Sequence, residues 1–334
     1  MVSRARKAAA QASYQQGERK NMIYNGDMAV VQRATSSADL GAAAGYFVQD
    51  RWYISTANME GRFTMSQDTE TPDGFANSMK IDCTTAETST PDVNEYLIIQ
   101  QRLEGLDLQS LNKGDSDAKA VTVSFWVRSP KTGVHTVSLF DTSNTRHIGS
   151  TYTIASADTW EYHSCSFAGD TTGAIPDDNT EGLALWFWLL AGSDYTGGTF
   201  ATSWASRTAA NDCSSSQVNV LDNTSNDFYL TGVQMELGST ATDFQYESYK
   251  ANLERCLRYY FNNIGTNYGQ VYGTTYSFTN VDLQVAFRAS PSILSYSAVR
   301  TTTGLAYYAG ANRWQAYMAA TNGYISNVQL SAEL

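Results

Sequence analysis

Val121-Thr122-Val123-Ser124-Phe125-Trp126-Val127-Arg128 decides the fold. Val121, Val123, Phe125 and Val127 alternate with Thr122, Ser124, Trp126 and Arg128, and Pro130 ends the run. A period of two places one set of side chains on each face of an extended strand. Residues 134–140, 160–167, 183–190 and 228–237 read the same way, and turn residues bound such runs from about 21 to 245. Many short strands, polar turns and almost no helical periodicity imply an all-β sandwich. Two long Thr/Ser/Asp-rich stretches, 68–95 and 193–218, read as surface loops.

One segment breaks the period. Tyr249, Leu253, Cys256, Leu257 and Tyr260 fall at helical spacing, with Lys250, Glu254 and Arg258 on the other face. The spacing predicts a short linking helix over 247–261. Beyond it, 257–334 holds ten of the 21 tyrosines, with Arg258, Arg288, Arg300 and Arg313 against only Asp282 and Glu333. That stretch reads as a second, small, Tyr-rich antiparallel β unit, 262–334. At the other end, residues 1–20 carry Arg4, Arg6, Lys7, Arg19 and Lys20 against Glu18, a local net of +4. The remainder then carries −15, from 17 basic and 32 acidic residues, which completes the chain's −11. A basic arm on an acidic body suggests docking to another protein; the alternative is a solvated, frayed terminus.

Composition removes several functions. A net charge of −11 over 334 residues opposes nucleic-acid binding, which needs a basic footprint. Cys83, Cys165, Cys213 and Cys256 form no CxxC pair, and a zinc site needs close-spaced ligands. They read as reduced and mostly buried. The three histidines, His135, His147 and His163, sit in no catalytic motif, and no GxSxG, HExxH, P-loop or GxGxxG occurs. The longest apolar run, 182–192, is far short of the ~20 residues of a membrane-spanning helix. No stacked repeat of a β-helical depolymerase is present.

Two passages resemble a known family. Asn21-Met22-Ile23-Tyr24-Asn25-Gly26-Asp27-Met28, followed by Gln32-Arg33 and Asp50-Arg51-Trp52, is similar to the opening of a bacteriophage virion structural-protein family of tail-fibre and head-fibre type. Leu230-Thr231-Gly232-Val233-Gln234-Met235-Glu236-Leu237-Gly238 looks like that family's V-Q-L-E-x-G signature. It continues through Ala241-Thr242-Asp243-Phe244 to Glu254-Arg255-Cys256-Leu257-Arg258-Tyr259-Tyr260, the C-x-R-Y-Y part. The passages bracket residues 21–260. The resemblance implies a jelly-roll sandwich over 21–246, similar to carbohydrate-binding modules, in a virion protein assembled in the host bacterial cytoplasm. It also implies a homotrimer, and it brings no catalytic residues.

Candidate ligand contacts follow from aromatic placement. The strand Leu183-Ala184-Leu185-Trp186-Phe187-Trp188-Leu189-Leu190 is apolar on both faces. Trp186 and Trp188 then form either an exposed platform for sugar rings or a surface buried under a loop, a subunit or the C-terminal unit. In the C-terminal unit Tyr268, Tyr272, Tyr307, Tyr308 and Trp314 suggest either a recognition tip or an oligomer interface. Asp177-Asp178-Asn179-Thr180-Glu181 clusters oxygen ligands without EF-hand spacing, and Asp27 is a second conceivable calcium ligand, so a structural calcium is a weak expectation and no other cofactor is expected. The resulting expectation is a non-catalytic tail-fibre or spike-type adhesin for a host surface glycan or protein, docked by its N-terminal arm. A head fibre or capsid decoration protein is the alternative. A glycosidase needs only two carboxylates at a suitable separation, so a polysaccharide-cleaving spike enzyme is a third reading.

Overall fold

A computed structural model describes residues 20–87, 90–268, 270–272, 276–282, 285–299, 302–308, 313–318 and 324–334, with side chains for 20–87, 90–262, 285–295 and 328–334. The chain divides into two units, 1–246 and 247–334. Arg4, Arg6, Lys7 and Arg19 of the basic arm lie outside the described residues.

The first unit is a jelly-roll β-sandwich. Its strands are β1 (Ser36–Leu40), β2 (Gly45–Tyr46), β3 (Tyr53–Ala57), β4 (Arg62–Asp68), β5 (Ser78–Thr85), β6 (Tyr96–Glu104), β7 (Val121–Arg128), β8 (Gly133–Asp141), β9 (Arg146–Ile154), β10 (Glu161–Phe167), β11 (Glu181–Ala191), β12 (Ala205–Ser206) and β13 (Asp227–Leu237). They form a six-stranded sheet, β1-β4-β5-β13-β7-β10, and a seven-stranded sheet, β12-β9-β8-β11-β6-β3-β2. The chain alternates between the sheets, so β13 lies between β5 and β7, and β11 between β6 and β8, all antiparallel. Side chains of period two fill the space between the sheets: Val121, Val123, Phe125 and Val127 from one, and Leu185, Phe187, Val137 and Leu139 from the other, are all buried. Phe125 meets Phe187 edge-on at 4.9 Å across the layer.

The segment 68–95 is not one loop. It contains β5, where Met79, Ile81 and Cys83 are buried and Lys80 and Asp82 are not. The alternation is legible but short, and Lys80, Asp82 and the Thr-rich flanks give it a loop's composition. All four cysteines are buried, and none forms a disulfide.

The two passages that carry the family resemblance touch each other. Asn21 accepts from the backbone N–H of Ile23 and Met235 (2.9 and 3.0 Å) and donates to the Val233 carbonyl (3.1 Å). Met22 and Gly26 add backbone bonds to Met235 and Val233. The buried amide of Gln101 bonds both the N–H and the carbonyl of Tyr24 (2.7 and 2.9 Å), as a neighbouring strand would. Asn25 fastens Val30 and Asp50 in the same manner, and the Trp52 indole donates to the Asn25 carbonyl. Further along, Gln234 and Glu236 hold Thr242 and Gln245, whose side chain accepts from the backbone of Lys20 and Asn21. These signature residues are therefore buried polar latches, each satisfied because an orphaned one costs about 1–3 kcal/mol.

The second unit begins with a helix. Labelling the single turn Ser193–Thr196 of the first unit α1, this helix is α2 (Tyr249–Leu257), N-capped by Ser248, whose Oγ accepts from Ala251 N–H. The stripe expected from spacing is displaced: Asn252 and Cys256 are buried, Tyr249 is 59% exposed, and Tyr260 begins a strand instead of a turn of helix. Lys250 and Glu254 do pair at i,i+4 (3.8 Å). The strands are β14 (Tyr260–Tyr268), β15 (Gln270–Tyr272), β16 (Tyr276–Asp282), β17 (Ser292–Val299), β18 (Thr302–Tyr308), β19 (Arg313–Met318) and β20 (Tyr324–Ser331). They make two small antiparallel sheets, β14-β20-β17 and β15-β16-β19-β18.

Two outcomes test this packing. A Cβ on Gly26 would sit 2.1 Å from the Val233 carbonyl oxygen. Gly26→Ala should lower unfolding stability by about 2 kcal/mol or more, read from the urea midpoint. His135 is buried against Tyr152, with rings stacked at 5.3 Å, and burial lowers its pKa to about 4. Burial also lowers the pKa of His163, whose ring lies 5.1 Å from Tyr152. In the folded state His135 stays neutral while the unfolded chain protonates near 6.5, so stability is full above about pH 6.5 and drains as pH falls toward 4, by up to about 3 kcal/mol. Urea unfolding from pH 7 to 4.5 should show this slope, and His135→Phe should flatten it; an unchanged slope contradicts the assignment.

Candidate functional site

β11 is buried on both faces, and the second face makes the site. Phe187 and Leu185 point into the sandwich, so Ala184, Trp186 and Trp188 point out of it. On the adjoining β6, Tyr96, Ile98, Gln100 and Arg102 share that outer face at period two. The register sets Trp188 beside Ile98 and Trp186 beside Gln100, with Ser55 of β3 beyond Ile98 and Phe140 of β8 beside Ala184. This outer face is an apolar patch that water would contact, and the segment after β11 folds back over part of it.

That cover is fastened at several points. The Gln217 amide donates to the Trp188 carbonyl (3.1 Å) and accepts from Thr136 N–H (2.7 Å). Cys213 N–H donates to the Tyr195 carbonyl, and Val220 N–H to that of Leu189. Cys213 then packs into a cluster with Ile98, Ala184, Trp186 and Trp188, and burial pushes its thiol up to about 12. Tyr195, carried on α1, meets Tyr96 edge-on at 5.1 Å and lies 5.8 Å from Trp188, and burial raises its hydroxyl pKa.

Trp186 and Trp188 are 8% and 1% exposed, so neither is an open platform; of the two alternatives, burial beneath a loop is the one realised. Their indoles cross at 78°, which also denies a sugar ring a single flat surface. Trp188 Nε1 donates to Ser138 Oγ (3.0 Å), whereas Trp186 Nε1 is buried without a partner.

The cover leaves a cavity of about 370 Å³ that both indoles line. At one end stand Tyr96, Tyr195 and Trp188; at the other, Arg102, Glu181, Phe140, Thr142 and Arg207, with Ser55, Ile98, Gln100 and Trp186 between. Arg102 lies 4.2 Å over the Tyr53 ring and 3.6 Å from Glu181. Arg207 stacks over Phe140 (5.1 Å) and Trp186 (5.6 Å), and its Nε and Nη2 both donate to Asp212 (3.0 and 2.7 Å). Asp212 is fully buried, and its other oxygen meets His147 Nδ1 at 2.6 Å. His147 Nε2 is buried without a hydrogen-bond partner.

The remaining candidates distribute elsewhere. Tyr268 and Tyr272 pair with Tyr324 and Tyr276 across their ladders, Tyr307 with Trp314, and Tyr308 with Arg313. The side chains of these five candidates lie outside the described residues. Lys20 is described and exposed, with its backbone tied to Gln245. In the acidic turn, Asp178 Oδ1 accepts from both the N–H and hydroxyl of Thr180, and Glu181 pairs with Arg102. Asp27 accepts from Ala29 N–H at 3.4 Å. Among the described residues no group of three or more His, Cys, Asp or Glu side chains could hold a metal ion. Four oxygens do converge on a cation, the ammonium of buried Lys113: Asp141 at 2.5 Å, Asp170 at 3.0 Å, and the Thr172 and Gly173 carbonyls at 2.9 and 3.0 Å.

Tyr195 and Arg207 are not legible in the sequence, because both arrive from the 193–218 loop and meet Tyr96 and Phe140 on strands far away in the chain. The one available signal was the strand itself: two outward tryptophans require a cover, and the next loop is the nearest supply.

No protein-family model and no curated protein sequence matches the chain. Among solved structures it is similar to the enzymatically active domain of bacteriophage CBA120 tailspike protein 4 (10% identity, TM-score 0.33), covering 65% of this chain and 21% of that one. It is likewise similar to a Bacteroides thetaiotaomicron protein named "putative sugar binding protein" (14%, 0.35; 66% and 100% covered). A third is the family 11 carbohydrate-binding module from Clostridium thermocellum, solved with a β-1,3-1,4-mixed-linked tetrasaccharide (13%, 0.30; 63% and 99% covered). The chain thus spans about a fifth of the tailspike chain.

The Asp212 anchor has a measurable weight. Asp212→Ala should leave Arg207 without its buried counter-charge and lower stability by about 3 kcal/mol in chemical unfolding, whereas loss under 0.5 kcal/mol would mean the anchor is solvated.

Proposed function

We propose that this chain is a non-catalytic glycan-binding protein of a bacteriophage particle, of tail-fibre or spike type. Its ligand occupies the cavity on the outer face of β11. One observation carries the reading: a cavity of about 370 Å³, on one sheet of a sandwich, with an aromatic end and a hydrogen-bonding charged end. Aromatic faces bind the C–H faces of sugar rings, while convergent amide, hydroxyl and guanidinium groups match the ring hydroxyls. The volume suits one or two sugar units of a longer chain. Among the described residues Glu181 is the single carboxylate lining it, and Arg102 engages that group, whereas glycoside cleavage uses a pair of carboxylates.

The virion setting rests on the resemblance of 21–28 and 230–260 to phage structural proteins. In this reading residues 1–20 dock the protein to the particle, three copies assemble, and the Tyr-rich second unit extends the recognition surface through Tyr268, Tyr272, Tyr307, Tyr308 and Trp314.

A glycan array of neutral and acidic bacterial polysaccharides tests the cavity. Tyr195→Ala removes the ring that closes the aromatic end and should weaken binding at least tenfold with the melting temperature nearly unchanged. Binding that survives Tyr195→Ala and also Tyr96→Ala would place the ligand elsewhere. Antibody-gold labelling of intact particles tests the setting: label on the tail is expected, label on the head would favour a head fibre, and no label contradicts a virion protein.

A further inference from the structure

We propose that the cavity is specific for an acidic glycan, with Arg207 gripping the carboxylate of a uronic acid residue; this rests on the glycan-binding reading above. A guanidinium has two forked edges, and the structure commits only one of them. The side edge, Nε and Nη2, is held by fully buried Asp212, which His147 in turn fixes at 2.6 Å. The plane of the group is fixed by the Phe140 and Trp186 rings beneath it. Nη1 makes no hydrogen bond among the described residues, and the Arg207 side chain lines the cavity and is 30% exposed.

A fixed planar fork with one open edge matches the two oxygens of a planar carboxylate, and little entropy is left to lose when it binds. Ring hydroxyls also accept from a guanidinium, but only a carboxylate meets both arms of the fork with a full opposite charge. A site for neutral hydroxyls would need mixed donors and acceptors, and a fully buried aspartate is a costly way to orient a donor. Elsewhere at this end, Glu181 at 3.6 Å offsets the charge of Arg102, which leaves Arg207 as the cation for the ligand, and the buried Trp186 indole N–H is a donor without an acceptor. Specific contacts are required because bulk electrostatics act against them: the whole chain carries −11, so an acidic polymer approaches against repulsion.

Affinity electrophoresis tests this, with native gels cast with alginate, polygalacturonate or hyaluronate and matching gels with each polymer carboxyl-reduced. The expected result is retardation by at least one uronate polymer, at least tenfold weaker after reduction. Arg207→Lys, which keeps the charge but loses the fork, should weaken retardation by the acidic polymer about tenfold and leave the melting temperature within a few degrees. The reduction arm uses the unmutated protein, so it decides the question even if that variant misfolds. Equal retardation by acidic and reduced polymers, or binding only to neutral array glycans, overturns acid recognition and leaves glycan binding standing. Retardation by κ-carrageenan but by no uronate would transfer the fork to sulfate and contradict the carboxylate. No binding to any glycan would sink both readings.

Discussion

β11 must be covered twice, and the rest of the site depends on that requirement. Its inward face completes the sandwich through Leu185 and Phe187; its outward face carries two tryptophans that water would otherwise wet. Fully burying a side chain of this size contributes about 2–3 kcal/mol, and the 192–220 segment supplies the cover. The cover brings Tyr195, Arg207, Asp212 and Cys213 over the sheet, and it closes incompletely. What it leaves open is the cavity. Site and stability therefore share one origin: the same aromatic pair that needs shielding also lines the pocket it creates.

A second constraint separates identity from function. The passages that resemble a phage protein family are held together by buried amides, with Asn21, Asn25 and Gln101 each bonded to backbone groups and Gly26 admitted only because it lacks a Cβ. They lock the 21–28 segment to β13 in the six-stranded sheet, while the cavity lies on the outer face of the seven-stranded one. Such latches serve the scaffold, and none of these residues lines the cavity.

The all-β sandwich was legible because the alternation at 121–128 and 183–190 follows directly from strand geometry. β5 was not, because its exposed face is Lys, Asp and Thr, and composition masked a period of two. The helix at 249–257 was found, but its buried face was misplaced: the chain turns into β14 at Tyr260, so Asn252 rather than Tyr249 faces inward. For the site, the outward pair Trp186 and Trp188 was visible, since residues two apart share a face. Arg207, Asp212 and His147 were not. Their arrangement depends on a loop meeting β9 about 60 residues away, and no local pattern encodes that meeting.

The most direct measurement is a crystal structure of the protein soaked with the best-binding oligosaccharide from the array. The account predicts a sugar unit between Tyr195 and the Trp186–Arg207 end of the cavity, with its rings against the aromatic wall. A sugar bound only to the second unit, or only on the six-stranded sheet, would contradict it.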